Sequence, residues 1–534
     1  MKDAQQGFLA QFRERVESAA STSFSGEGSV APIVLWLIIG LAAVLRFACL
    51  GAKSIWSDEA FSIVMAKLRW SDFWRMVTTT EANMSLYYAL LRGWVRFGDP
   101  VWWVRLLSAL IAVAVVPIVY WIARELFSHR AGVLAALLLS INAFHIRYSQ
   151  EARSYSLVVL LVAFSFLAFF RCLKEPDHLW GGFYVLSTAL ALYAHFFAAL
   201  ALLAQLVSLA AMPSPRKFAT RHLARLCLVV ILGSPLLWFV LFRNRGQLDW
   251  IQPIHLKDLY HFLLYMTGSG LKVGIALVAV LVALKTWVSR WRAQQWDMEA
   301  WSFLVLILWL ALPLCVTMVV SIWKPIYAPR FLIFCLPAAL LLIADGLAQI
   351  THPWIRYGLV TLLVVSAVGP IRSYYVEPGQ EDWRNAAEFI ARNVSAGDTA
   401  YLPNAYCGLP LNYQLGHSRT VVPSLRLVSS ITPEALPERG TGNIWMITCS
   451  TTTNFNAQPA IGNYEVQEVR LFRGIRVIRL GRKPQSSKTR IRVPLDKSEC
   501  VLGWNFLCVL PLRGNRLPYH VVNRCPIFSF LVRR

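Results

Sequence analysis

The sequence predicts a mainly α, polytopic membrane protein, a bundle of eleven spanning helices with a small α/β domain near the C-terminus. Three observations carry this. Of the 534 residues, 57% are hydrophobic and only 15% charged, and 21 are tryptophan, a balance far from that of soluble domains. The apolar residues are gathered into runs that cross about 30 Å of hydrocarbon, or nearly so with their flanks at the interface. After residue 380 the character changes to short amphipathic and β-branched stretches.

The apolar runs are 32–50, 101–123, 131–147, 154–171, 180–195, 196–212, 223–242, 271–288, 301–321, 328–348 and 354–372. Residues 1–31 precede them as a polar, Ser-rich stretch without the basic start and short apolar core of a signal peptide, so a cytoplasmic tail is expected. Residues 84–98 are apolar but short and carry Arg92 and Arg96, which favours an amphipathic helix at the interface over a further span. Arg216, Lys217, Arg221 and Arg225 lie in one connection and Lys285, Arg290 and Arg292 in another. Short basic connections stay in the cytoplasm. Counting from them places the first loop 51–100, the turns at 147–153 and 194–197, the segments 243–270 and 322–330, and everything after 373 on the extracytoplasmic face of the inner (plasma) membrane.

Residues 381–393 have apolar positions at helical spacing, and 399–402, 443–449 and 474–480 read as strands, which together make a small α/β domain over 380–482. From 483 to 534 the tail is basic and without periodicity. The formal charge of +23 is scattered between apolar runs and not drawn into one stripe, which excludes nucleic acid as the partner and leaves loop charge plus a site for something anionic. No C-x-x-C pair occurs among the ten cysteines. Cys49, Cys172, Cys227, Cys315 and Cys335 read as small core residues, and Cys407 and Cys449 stand where an oxidising compartment permits a disulfide.

The polar outliers of the apolar half fall on one face under this topology. They are Asp58 and Glu59, Arg105, Glu151 and Arg153 in the run Tyr148-Ser-Gln-Glu-Ala-Arg-Ser-Tyr155, His195, and Arg330. Ionisable groups at membrane depth are costly and line cavities or pathways. Each has a plainer reading beside it. Asp58-Glu59 suits an acidic helix start, His195 suits a core histidine with a hydrogen-bond partner, and Glu151 and Arg153, two apart, cannot pair along one helix face. Arg330 at a helix start opposes the dipole, a situation that a nearby anion relieves. Asp58, Glu59, Glu151 and His195 have oxygen and nitrogen ligands to offer a divalent metal, yet without a ligand-spacing motif, so no cofactor is required and a metal stays open.

Trp56-Ser-Asp-Glu-Ala60 after the first span, Tyr148-Ser-Gln-Glu-Ala-Arg-Ser-Tyr155, Tyr193-Ala-His-Phe196, Arg330-Phe-Leu with Pro337 downstream, and Glu381-Asp-Trp-Arg384 resemble glycosyltransferase family 39 over roughly residues 32–400. That family is related to the dolichyl-phosphate-mannose protein mannosyltransferases and the lipid A aminoarabinose transferases of the GT-C superfamily. The resemblance implies a GT-C bundle that moves a sugar from a polyprenyl-phosphate carrier to an envelope acceptor, with inversion. It implies Asp58 as general base with Glu59 orienting it or the acceptor, and Arg153 and Arg330, with Arg105, Glu151 and His195 as further members, around the donor phosphate. The partners implied are the carrier-linked sugar, the acceptor and membrane lipid. The rival readings are a secondary transporter, which calls for internal repeats and broken helices, and a lipid-carrier flippase without transfer chemistry. No repeat is visible in the sequence.

Overall fold

The structure is a computed structural model that describes residues 30–174, 178–212, 216–243, 248, 250–255, 257–293, 298–418, 426–428, 442–449 and 464–482. Most of the N-terminal tail (1–29) and the basic tail (483–534) lie outside the described residues. The chain divides into two units, one of residues 1–51 and 58–377, the other of residues 52–57 and 378–534.

In the larger unit the first apolar run is α1 (Val30–Phe47). The loop after it holds α2 (Ser57–Lys67), α3 (Trp70–Thr79) and α4 (Ser85–Trp94). Helix α4 turns Tyr87, Tyr88 and Leu91 inward, and its ten residues are too few to cross a bilayer. Then come α5 (Val101–Leu126), α6 (His129–Ser140), α7 (Ala143–Ser149), α8 (Tyr155–Lys174), α9 (His178–Ala194), α10 (Ala198–Leu209) and α11 (Arg216–Phe242). Helix α12 (Lys257–Thr267), in a region expected to be loop, precedes α13 (Gly270–Arg292) and α14 (Met298–Val320). A 3-10 stretch, Pro329–Cys335, leads into α15 (Leu336–Gln349), and α16 (Pro353–Val376) closes the unit.

Among the described residues seven helices are long and apolar enough to span a membrane, or eight if the bent pair α6–α7 counts as one. The expectation of eleven is therefore finer than helix length supports. The runs at 32–50, 180–195 and 196–212 form the shorter helices α1, α9 and α10. The bend between α6 and α7 is 58°. It is stabilised because the carbonyls it strands are met: Arg46 donates to Leu139 O at 3.0 Å and Ser140 O at 3.1 Å, and Asn142 caps α7 by accepting from His145 N at 2.9 Å. Helix α15 is the central post, almost wholly surrounded by protein, whereas α16 turns most of its surface outward. Gly346 permits the close approach of α13, since a Cβ there would lie 1.8 Å from Ala279 O.

The smaller unit holds α17 (Trp383–Asn393), α18 (Gly408–Gly416) and a sheet of β1 (Thr399–Tyr401), β2 (Arg426–Val428), β3 (Ile444–Cys449), β4 (Tyr464–Phe472) and β5 (Ile475–Arg482). The strand order is β2-β1-β3-β5-β4, with β1 parallel to both neighbours and β5 antiparallel to both of its own. Strands β2 and β4 go beyond the three expected. Trp383, Ile390, Trp445 and Val477 lead its core, and Cys407 and Cys449 are joined as a disulfide. Cys49, expected as a core residue, is also disulfide-bonded.

Candidate active site

The Asp58-Glu59 pair opens α2, both carboxylates in its first turn. Successive residues on a helix point about 100° apart, and here the two side chains diverge. Glu59 is fully buried and takes a two-pronged pair from Arg105, Nε to Oε1 at 2.8 Å and Nη2 to Oε2 at 2.6 Å. Ala152 N donates to the same Oε1 at 2.9 Å. Arg105 completes its set by donating to Leu50 O at 2.9 Å.

Asp58 is held differently. Its Oδ2 lies 3.8 Å from Arg153 Nη2 and 3.9 Å from Arg330 Nη2, ion-pair distances longer than a hydrogen bond. Arg153 donates through Nη1 to Asp58 O at 3.3 Å and Ser62 Oγ at 3.4 Å. Arg330 lies over the Trp250 ring at 4.9 Å, and both arginines are largely buried.

The run 148–155 takes in the end of α7, the tight connection 150–154 and the start of α8, and its members divide the labour. Gln150 donates to Arg46 O at 3.0 Å and Ala48 O at 2.7 Å, tying the connection to the end of α1. Ala152 supplies the N–H to Glu59, and Arg153 reaches Asp58, its own carbonyl fixed by Ser108 Oγ at 3.2 Å. Glu151 is buried and its Oε2 has no hydrogen-bond partner among the described residues. Burial lifts its carboxyl from 4.5 to about 7, against the opposing pull of Arg147.

His195 lies in the turn after α9, buried, its Nδ1 accepting from Phe197 N at 3.2 Å, its ring 5.0 Å from that of Phe331 and its Nε2 unpartnered among the described residues. The same turn is tied to the first loop, since Phe196 N donates to Asn83 Oδ1 at 3.1 Å. That loop brings in Glu81, which the sequence analysis did not single out. Burial lifts Glu81 to about 7, with Arg153 opposing and Asp58 reinforcing the shift. No motif surrounds Glu81 in the sequence, so its only signal is its position in the loop that also carries Asp58.

Residues 86–239 match the family described as dolichyl-phosphate-mannose-protein mannosyltransferase. The match runs from α4 to α11. The chain's fold matches that of ArnT from Cupriavidus metallidurans. For the apo state the TM-score is 0.60 at 12% identity, covering 84% of this chain and 98% of the other. For ArnT bound to undecaprenyl phosphate it is 0.55 at 14% identity, covering 85% and 98%. The oligosaccharyltransferase of Archaeoglobus fulgidus, in complex with zinc and sulfate, matches at 0.50 and 11% identity over 78% of this chain and 68% of that one. No curated protein matches the sequence.

Within this fold the structure gathers Asp58, Arg153 and Arg330 directly, with Glu81, Glu151 and His195 in electrostatic reach of them. Arg105, expected at a donor phosphate, spends its guanidinium on Glu59. Glu59, expected to orient Asp58 or the acceptor, has both carboxylate oxygens on Arg105 of α5. Among the described residues no three His, Cys, Asp or Glu side chains are placed to hold a metal ion. Of the four weighed as ligands, Glu59 already has both oxygens engaged.

Proposed function

We propose that this protein transfers a sugar from a polyprenyl-phosphate carrier to a cell-envelope acceptor, a glycolipid, polysaccharide or protein, by a single inverting displacement on the extracytoplasmic face of the inner membrane. The observation that carries the reading is Asp58 Oδ2 standing at ion-pair distance from two largely buried guanidinium groups, Arg153 and Arg330. Two cations face one carboxylate there, while Glu59 and Arg105 cancel each other. Glu81 and Glu151, lifted to about 7, are half neutral at pH 7. Two guanidinium groups that share a single carboxylate keep capacity for a phosphate at the membrane surface.

The acceptor hydroxyl attacks the anomeric carbon. Asp58 takes its proton, and the bond from that carbon to the phosphate oxygen breaks with its electron pair leaving on the phosphate. Arg153 and Arg330 stabilise the departing charge, since guanidinium forks match phosphate oxygens and stay charged at depth. Glu151 in its protonated form donates to a phosphate or sugar oxygen, which removes the repulsion that an ionised carboxylate would bring. ArnT bound to undecaprenyl phosphate supports the choice of carrier.

The eleven-span topology belongs to this reading, with α1, α9 and α10 as short spans, residues 1–31 in the cytoplasm, and the bundle over 32–373 and the domain over 380–482 as the catalytic and exported parts. The Cys407–Cys449 disulfide favours an oxidising compartment for the latter. In a background lacking Cys227 and Cys315, Ser71→Cys and Ser395→Cys are expected to react with an impermeant thiol reagent on intact cells and Ala293→Cys not to. The reverse pattern would invert the topology.

The function is tested with purified protein in nanodiscs offered undecaprenyl phosphate bearing mannose, glucose, arabinose or an amino sugar, beside mass spectrometry of envelope glycans with and without the chain. Consumption of one donor and disappearance of the same sugar from the envelope is the expected outcome. Consumption of none, with an unchanged envelope, would leave the transporter or lipid-carrier flippase readings.

A further inference from the structure

The stretch Ser85-Leu-Tyr-Tyr-Ala-Leu-Leu91 opens α4, and nothing in the chemistry above uses it. Its two tyrosines are 0% and 1% exposed, and a phenol is buried only at a cost unless its hydroxyl finds a partner. Both partners lead to Arg153. Successive residues on a helix point about 100° apart, so the two hydroxyls reach that residue by different routes.

Tyr87 acts on the backbone. Its hydroxyl lies 2.7 Å from Ser108 Oγ on α5, and Ser108 Oγ donates to Arg153 O at 3.2 Å. A serine hydroxyl has one proton to give. Tyr87 is therefore the donor in the shorter bond, and phenol, serine and carbonyl form a directed chain in which each bond polarises the next. On the same turn Ala152 N donates to Glu59 Oε1 at 2.9 Å and Arg153 N to Glu151 O at 2.8 Å. The backbone that carries the Arg153 side chain is thus held at consecutive peptide groups.

Tyr88 acts on the guanidinium. Arg153 Nη1 donates to its hydroxyl at 3.5 Å, beside the Asp58 carbonyl at 3.3 Å and Ser62 Oγ at 3.4 Å. Each of the three bonds is long, so they hold the group by number and not by any one of them. The Tyr88 ring packs edge-on against Phe61 of α2 at 6.0 Å, which fixes the hydroxyl that Arg153 meets.

We infer that Tyr87 and Tyr88 are positioning residues for Arg153: Tyr87 fixes its carbonyl through Ser108, Tyr88 holds its guanidinium, and together they set where the fork meets the donor phosphate. Both act through Arg153. The inference rests on Arg153 binding that phosphate, as proposed above. A planar fork binds phosphate by matched geometry, so it loses affinity when turned, whereas a cation acting by charge alone would not.

The test uses full-length protein in nanodiscs, and its readout is the affinity for undecaprenyl phosphate, which requires no turnover. Tyr87→Phe and Tyr88→Phe each remove one hydroxyl and keep the ring. Each is expected to weaken carrier binding about two- to tenfold, the scale of one hydrogen bond, with the melting temperature near that of the wild type. Ser108→Ala breaks both bonds of the chain and should weaken binding more. Arg153→Lys supplies the deciding comparison. In that background the same Tyr→Phe changes should add nothing, because the fork they orient is gone, whereas a merely structural role would cost the same in either background. Additive losses therefore overturn the inference. So does wild-type affinity in either Tyr→Phe variant while Arg153→Lys binds weakly, an outcome that leaves the phosphate role of Arg153 standing. Wild-type affinity in Arg153→Lys itself, or no binding by the wild type, removes that role and the inference with it. Should Ser108→Ala fail to fold, the two tyrosine variants decide.

Discussion

Asp58 and Glu59 are chain neighbours of the same charge, both in the first turn of α2, and they are held in opposite ways. Glu59 is fully buried, with two hydrogen bonds from Arg105 and a third from a backbone amide. Asp58 keeps about a fifth of its side chain exposed and faces its two arginines across 3.8 and 3.9 Å. A closed, desolvated pair that has satisfied its hydrogen bonds has nothing left to offer a substrate, and breaking it strands a charge. A carboxylate at longer range from two cations can take a proton while the cations turn to another anion. On the proposed mechanism, one pair of neighbours supplies both the anchor and the reactive group.

The largest expected effect concerns Asp58. Asp58→Asn keeps the shape and removes the base, and single-turnover transfer should fall by about 10²–10⁴-fold with the protein folded. Near-normal transfer would end the distinction drawn above, and a folded, stable Glu59→Gln with the same loss would hand the base to its neighbour.

Glu59→Gln should instead appear in stability, by about 3–5 kcal/mol for one member of a buried pair removed. Thermal unfolding in nanodiscs measures it. Glu59→Leu combined with Arg105→Met should recover most of the loss, since no charge is then stranded. Failure to recover would mean that the pair does more than anchor α2.

Arg153→Lys and Arg330→Lys come next. A point charge cannot copy a fork, and charge-assisted bonds are worth about 1.5–3 kcal/mol, or roughly ten- to a hundredfold in donor KM. Arg105→Lys should leave donor KM alone and lower stability, which separates the two kinds of arginine.

The smallest effect is on pH dependence. Glu81 and Glu151 are lifted from 4.5 to about 7 in the folded protein, so between those values the folded state holds more protons than the unfolded one. Stability contributed by their protonated forms is present below pH 4.5 and lost as pH rises through 7. Glu81→Gln and Glu151→Gln should each flatten the fall in melting temperature between pH 5 and pH 8. An unchanged slope would place both carboxyls in ordinary surroundings.

Much of the site was legible because its residues are out of place by composition. A charge at the end of an apolar run is conspicuous, and Asp58, Glu59, Arg105, Glu151, Arg153, His195 and Arg330 all stand out in that way. Glu81 does not, since it lies in a polar loop where a carboxylate is ordinary. Strand β4 was missed for a similar reason: its Glu465, Glu468 and Arg470 mask the alternation expected of a strand, and its partner β5 decides the matter through backbone pairing. Helix α12 is amphipathic and short, inside a stretch that reads as loop, and its packing against α13 is a tertiary matter.

The sequence by itself determined a multi-pass helical protein, because 18 or more apolar residues have few stable states other than a helix with its own backbone bonds satisfied. It also determined the small α/β unit and the set of outlying charges. Only the tertiary structure decided which charge meets which. Arg105 and Arg153 look equivalent in the sequence, yet one closes on Glu59 and the other stands off Asp58, because α5 brings Arg105 against Glu59 while the turn before α8 brings Arg153 against Asp58 and Ser62. Partner choice depends on distances of a few tenths of an ångström between segments tens to hundreds of residues apart. Spacing along the chain cannot specify that, and the packing of the helices does.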